Sequence, residues 1–174
     1  MEIKTLRVGS LQTNCYLLKK DNKYLIIDPG DEADKIINYI HGDVKGILIT
    51  HNHFDHVGAL NQLKEYYHVP VYHYLNLKEG EIKISIFNFE VIYNPGHTKD
   101  SISFLFENDL FCGDFIFENS IGRTDAGGNN QDMKKSIMKI IKYSPSINIY
   151  PGHGNKTTLK NEIDTLLYFK DNYL

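Results

Sequence analysis

"ITHNHFDHVGAL", residues 49–60, places His51, His53, Asp55 and His56 within a single short stretch. The run before it, "VKGILIT", is short, apolar and β-branched, and reads as a buried strand. Side chains at i and i+2 of an extended segment point the same way, so His51 and His53 can face one ion. Asp55 and His56 follow where the chain must turn into the next helix, which re-aims them toward a neighbouring position. A carboxylate mixed with imidazoles suits zinc, iron or manganese better than a soft thiolate site would. The plain alternative is a solvated His-rich loop. The rest of the chain decides between them, by supplying or withholding further ligands.

It supplies them. His97 lies in "NPGHTKDS", Asp114 in "LFCGDF" and His153 in "IYPGHGNKTT". Each follows an apolar β-type run and stands beside a glycine, which lets backbone approach a site closely. Loops at one end of a sheet scaffold are where function usually sits. Taken singly, these would be ordinary core, surface or turn residues. Their concurrence with residues 51–56 points to a metal centre at the mouth of a sheet.

Outward from these loops, the pattern is β-rich at the start, in "EIKTLRVG", "NCYLLKKD" and "KYLIIDPG". "DPGDEADKIINYIHG" predicts a helix opened by acidic residues and closed by Gly42. "GALNQLKEYYH" has helical spacing with Leu60, Leu63 and Tyr67 on one face, and "PVYHY" is a short strand. From 80 to 112 the pattern is β again, in "EIKISIFNFEVIYNPGH", "SISFLFEN" and "LFCGD". An amphipathic helix in "NNQDMKKSIMKIIKYS", a strand in "INIYPGHG" and a terminal helix in "TLKNEIDTLLYFKDNYL" complete the chain. Strands and helices mix throughout, with no composition break, linker or repeat, so one layered α/β domain over 1–174 is expected.

Composition excludes some classes. The chain has 174 residues, 24% charged and 41% hydrophobic, with a net charge of -3. That is ordinary for a globular protein and gives no electrostatic reason to expect a nucleic-acid or membrane partner. The N-terminus has no apolar signal-like core, and no window approaches the ~20 apolar residues a membrane span needs. A cytoplasmic protein is expected. Cys15 and Cys112 sit among apolar residues in apparent strands and read as small core residues, not a disulfide framework.

The ordered set "IIDPG", "THNHFDH", "GHT", "GD" and "PGHG" resembles the metallo-β-lactamase superfamily, and its small glyoxalase II-like hydrolases in particular. The correspondence spans nearly the whole chain. The resemblance implies an αββα four-layer sandwich with the site at one edge of two packed sheets. It also implies two divalent metal ions, zinc first and iron or manganese as alternatives. His51, His53 and His97 would hold one metal and Asp55, His56 and His153 the other, with Asp114 bridging them. Asp28 would support the metal loop from behind. Arg123, in "SIGRTD", reads either as an ion pair bracing the loop after Asp114, with Asp125 as its candidate partner, or as a surface arginine.

The same resemblance implies a hydrolase acting through a metal-bound hydroxide, with Asp55 and Asp114 in the catalytic centre. A thiolate leaves without much help from an acid, since free cysteine has a pKa near 8.5. A small-molecule thioester, of the hydroxyacylglutathione type, therefore suits a site with no separate general acid. True β-lactamases of the superfamily place a cysteine on one metal. Cys112 is two residues before Asp114 and should point inward, which disfavours that activity. Other readings are a persulfide dioxygenase with one iron on His51, His97 and Asp114, a lactone hydrolase, and a non-catalytic metal-binding scaffold.

Departures from the family pattern fall at Lys99 and Asp100, where Pro-Gly is usual, and at Ala126 and Gly127, where an aromatic and a proline often stand. Asn155 and Lys156 read as solvated loop residues, with contact to a substrate carboxylate as the alternative. The chain ends about twenty residues after His153, room for one helix and not for the helical domain of full-length glyoxalase II. Substrate contacts, glutathione specificity and oligomeric state are not legible.

Overall fold

A computed structural model describes residues 1–174. Its first sheet holds β1 (Glu2–Val8), β2 (Thr13–Lys20), β3 (Lys23–Ile27), β4 (Asp43–Leu48) and β5 (Val71–Tyr72), in that order. β1, β2 and β3 pair antiparallel, whereas β3, β4 and β5 run parallel. The parallel pairs are joined by crossover segments that carry α1 (Ala33–Tyr39), then α2 (Phe54–Val57) and α3 (Leu60–Tyr67). The second sheet is built from β6 (Gly80–Ile84), β7 (Phe87–Tyr93), β8 (Ile102–Phe106) and β9 (Asp109–Gly113). A small hairpin of β10 (Ile116–Phe117) and β11 (Ser120–Ile121) follows, then α4 (Asn130–Ile140), β12 (Asn148–Pro151), β13 (Thr157–Thr158) and α5 (Leu159–Asn172). In space the second sheet is ordered β13-β12-β9-β8-β7-β6, with β12 parallel to β9.

Three buried layers of side chains hold these elements as an αββα sandwich. Leu17, Ile26 and Ile47 on one face of the first sheet meet Ile36 and Leu63 of the helices outside it. Their sequence neighbours Leu18, Ile27 and Leu48 point the other way and pack on Phe87, Phe104 and Phe111 of the second sheet. On the far face of that sheet, Leu110, Cys112 and Ile149 pack on Met133 and Ile137 of α4 and Leu166 of α5. Because both faces are covered, β3 and β4 carry consecutive apolar residues instead of a polar alternation. Burying each such side chain is worth about 1.5–3 kcal/mol, so the inter-sheet layer is a large part of what fixes the relative position of the sheets.

Most predicted elements form. Two differ in detail. Gly42 does not cap α1: the helix closes at Ile40, which is already extended. Gly42 instead lies where a side chain would collide with Asn22, whose carbonyl accepts from Asp43 N. The long β stretch at 80–93 is a hairpin, turned at Ser85 with φ of 55°. No helix is long and apolar enough to cross a membrane.

Candidate metal centre

The topology brings the ligand loops to one edge. β3 and β4 are parallel with Ile27 opposite Leu48, so Asp28 and the 49–56 loop emerge side by side. β9 and β12 are also parallel, with Gly113 opposite Pro151, and deliver Asp114 and His153 together. The 94–101 loop between β7 and β8 carries His97. Ile102 N donates to Thr50 O at 2.9 Å, tying this second-sheet loop to the end of the first sheet.

All seven predicted ligands meet there. The candidate donor atoms of His51, His53 and His97 lie within 4.8 Å of one another, as do those of Asp55, His56 and His153. His53 Nδ1 is 3.0 Å from His97 Nε2. In the second group, His153 Nε2 is 3.2 Å from Asp55 Oδ2. Asp114 stands between the groups: its Oδ2 is 3.6 Å from both His97 Nε2 and His153 Nε2, and its Oδ1 is 3.4 Å from His56 Nε2. Asp28, His51 and His56 also cluster. Both Asp28 oxygens are already engaged there, so Asp28 supports the site and does not complete a third one.

Each of the five histidines has one nitrogen facing an acceptor, which leaves the other free. His56 Nδ1 faces Asp28 Oδ2 at 2.9 Å, His97 Nδ1 faces Arg123 O at 2.7 Å, and His153 Nδ1 faces Leu11 O at 3.1 Å. His53 is turned round, with Nε2 at 3.0 Å from Ala126 O and Nδ1 toward the site. Thr50 Oγ donates to Asp28 Oδ2 at 2.6 Å and so accepts from His51 Nδ1 at 3.1 Å. These acceptors assign the tautomers, and every one leaves a lone pair directed inward. Three of the inward atoms, His51 Nε2, His56 Nε2 and Asp114 Oδ1, are buried with no hydrogen-bond partner. Leaving a buried polar atom unpaired costs about 1–3 kcal/mol each, and a bound cation removes that cost at all three. The donor set thus fits a metal.

Without a cation, protons compete for the same atoms, at His56 above all. Burial opposes a charge on His56, but the carboxylates of Asp114 and Asp28 outweigh it and push its pKa up to about 10. At 3.4 Å the Asp114 oxygen attracts His56 through its charge without an aligned hydrogen bond. Burial also works against the Asp114 carboxylate, yet the surrounding imidazoles hold its pKa well below the usual range. His51 goes the other way: burial, then the charge on His56, drive its pKa down. Burial likewise lowers that of His97, against the pull of the Arg123 carbonyl.

The supporting residues are partly as expected. Asp28, 2% exposed, also accepts from Thr50 N at 2.8 Å. Arg123 does pair with Asp125, through Nε and NH2 at 2.6 and 2.7 Å, but both side chains are exposed. Its contact with the site runs through its main-chain carbonyl, not its guanidinium. Asn155 binds Arg7 and Glu118, and Lys156 binds the Tyr150 hydroxyl, as solvated loop residues would. Sequence reasoning missed Thr13, whose hydroxyl donates to Asp55 Oδ2 at 3.0 Å. It also missed Glu162 on α5, which is buried and joins Asn119 N, beyond Asp114, to the Thr157 hydroxyl, beyond His153.

With this geometry in hand, comparison with known proteins is direct. A model of the metallo-beta-lactamase superfamily matches residues 8–85 and 75–153. The chain belongs to that superfamily. Among its superfamily relatives, the probable metallo-hydrolase YqgX of Bacillus subtilis (strain 168) is 34% identical, over 94% of this chain and 95% of its own. The hydroxyacylglutathione hydrolase GloC of Haemophilus influenzae is also 34% identical, over 93% and 95%. Of solved superfamily structures, BLEG-1, described as a B3 metallo-beta-lactamase, matches with a TM-score of 0.89 at 31% identity, over 94% of this chain and 97% of that one.

Proposed function

We propose that this protein hydrolyses small-molecule thioesters, of the hydroxyacylglutathione type, at a pair of divalent metal ions, zinc in the first instance. The observation that carries the reading is the pair of donor triads sharing Asp114, with inward lone pairs already freed by acceptors on the far side of each ring. Imidazole nitrogens with carboxylate oxygens suit zinc, and suit iron or manganese as well. The 34% identity to GloC supports the thioester class.

When bound, the ions supply Lewis acidity: a nucleophilic water at neutral pH and stabilisation of charge developing on a carbonyl oxygen. The chain's own groups do the rest. Asp114 stands between the two halves, with Oδ2 equally near His97 and His153 and Oδ1 near His56. Asp55 is held by the Thr13 hydroxyl, and His153 by the Leu11 carbonyl. Asp28 keeps the His56 proton on Nδ1, so that Nε2 remains a ligand. The clustered groups are all histidines and aspartates, each assigned to a metal or, for Asp28, to the support of His56, so this reading leaves no separate acid to protonate a leaving group. A thiolate needs none; an alkoxide or amine would.

The test is metal content and S-D-lactoylglutathione hydrolysis on the same sample. About two metals per chain with turnover, both lost in Asp114→Ala, is the expected result. One iron per chain, no hydrolysis and oxygen uptake with glutathione persulfide would replace the reading with the mononuclear dioxygenase. β-Lactam hydrolysis belongs in the same assay, because a structure 31% identical is described as a B3 metallo-beta-lactamase. Cys112 is buried against α4 and α5, as expected, and offers no thiolate to a metal.

A further inference from the structure

Beside the metal centre lies a cavity of about 470 Å³, within the range of small-molecule sites. His51 belongs to both: its ring lines the cavity and its free Nε2 belongs to the first triad. The wall is mainly apolar, from Ile49, Leu60, Val71, Tyr74 and Leu75. Leu75 is 83% exposed at the lip, an aliphatic side chain left in water with nothing of this chain to cover it. Lys64 and Lys99 also line the cavity, and neither is paired with a carboxylate; Asp100 is the one acid there. The connection 73–79 between β5 and β6 forms one wall, through His73, Tyr74 and Leu75.

We propose that this cavity binds the acyl arm of the substrate, and that the arm is an apolar chain of medium length with a carboxylate at its far end. This deepens the thioesterase reading and rests on it for the word acyl. The apolar share of the wall favours a hydrocarbon segment there, although Asn52, Asn61 and His73 also line the cavity. The two unpaired lysines at the rim suit a terminal anion.

Thioesters of N-acetylcysteamine with acetyl, butanoyl, hexanoyl and adipoyl groups test it on the zinc-loaded protein. KM should fall about threefold per added methylene with kcat nearly constant, and adipoyl should fall below hexanoyl. Leu75→Asp should flatten the chain-length dependence, and Lys64→Glu with Lys99→Glu should remove the preference for adipoyl. An independent readout is the amide spectrum with added adipate, where the backbone signals of Asn61, Lys64 and Leu75 should move. Shifts there without turnover of any thioester would sink the proposed function and leave the cavity assignment standing. Turnover indifferent to chain length, with those amides unmoved, would overturn the cavity assignment and leave the thioesterase intact.

Discussion

The two halves of the metal centre are braced in different ways. His51, His53 and His97 are anchored partly by the exposed 122–128 loop, through the carbonyls of Arg123 and Ala126. His56 and Asp55 are anchored from beneath, by Asp28 at the end of β3 and Thr13 in β2. His53 and His97 therefore lean on main-chain oxygens of a loop, and Asp55 and His56 on side chains fixed in a sheet, while His51 rests on the Thr50 hydroxyl and His153 on the Leu11 carbonyl. The consequence is that side-chain replacements should damage the second half far more than the loop. Backbone displacement is the only route to damaging the loop-braced contacts.

The largest effect is expected where backbone itself enters the second half. Gly152 precedes His153, and a Cβ there would overlap Asp114 Oδ1 and come within 2.7 Å of His56 Cε1. Gly152→Ala should halve the metal bound per chain and reduce kcat/KM by about 100-fold or more, read by elemental analysis and thioester kinetics. Full metal occupancy in that variant would mean the second half is looser than its contacts imply. Next comes Asp28→Asn, which sets an amide against donors from Thr50 N, Thr50 Oγ and His56 Nδ1. Metal affinity should weaken by about 10–100-fold, and chemical denaturation should show a loss of about 1–3 kcal/mol. An unchanged affinity would remove Asp28 from the support of His56.

The contrast between the halves also marks what could be read from sequence. A layered α/β domain was legible in the mixing of strands and helices, and the four-layer sandwich only through the family resemblance. The neighbouring apolar pairs Ile26–Ile27 and Ile47–Leu48 do point into different layers, as that sandwich requires. The ligands were legible because each sits in a local strand-to-loop signal. The bracing was legible only at Asp28, which ends a strand in the same local way. Thr13 reaches Asp55 across 42 residues, and Glu162 reaches Asn119 across 43. No periodicity or composition encodes such contacts, since they exist only once the sheets have stacked. For Arg123, sequence drew attention to the charged side chain, while the site uses the carbonyl that every residue has.

Smaller, and confined to chelator-treated protein, is a pH effect from the second half. His56 has its pKa raised from 6.5 to about 10 by Asp114 and Asp28, against burial. The stability it contributes is fully present below pH 6.5 and lost as pH rises through about 10. The urea midpoint of metal-free protein should therefore fall between pH 6.5 and 10. Metal-loaded protein should show the opposite dependence at the acid end, because protons compete with metal for the imidazoles. A midpoint in metal-free protein that stays level up to pH 10 would show that His56 is neutral there.

Arg123→Ala should do least of all. The Arg123–Asp125 pair is bidentate, yet its side chains are 73% and 67% exposed, and pairs in water contribute little. The link from this residue to the centre is its carbonyl, 2.7 Å from His97 Nδ1, and alanine keeps it. Metal content, kcat and the unfolding midpoint of the variant should match those of the parent within scatter. A clear loss of metal would show that the guanidinium holds the loop in place. The two halves of the site would then be braced by side chains alike, and the division between loop and sheet would disappear.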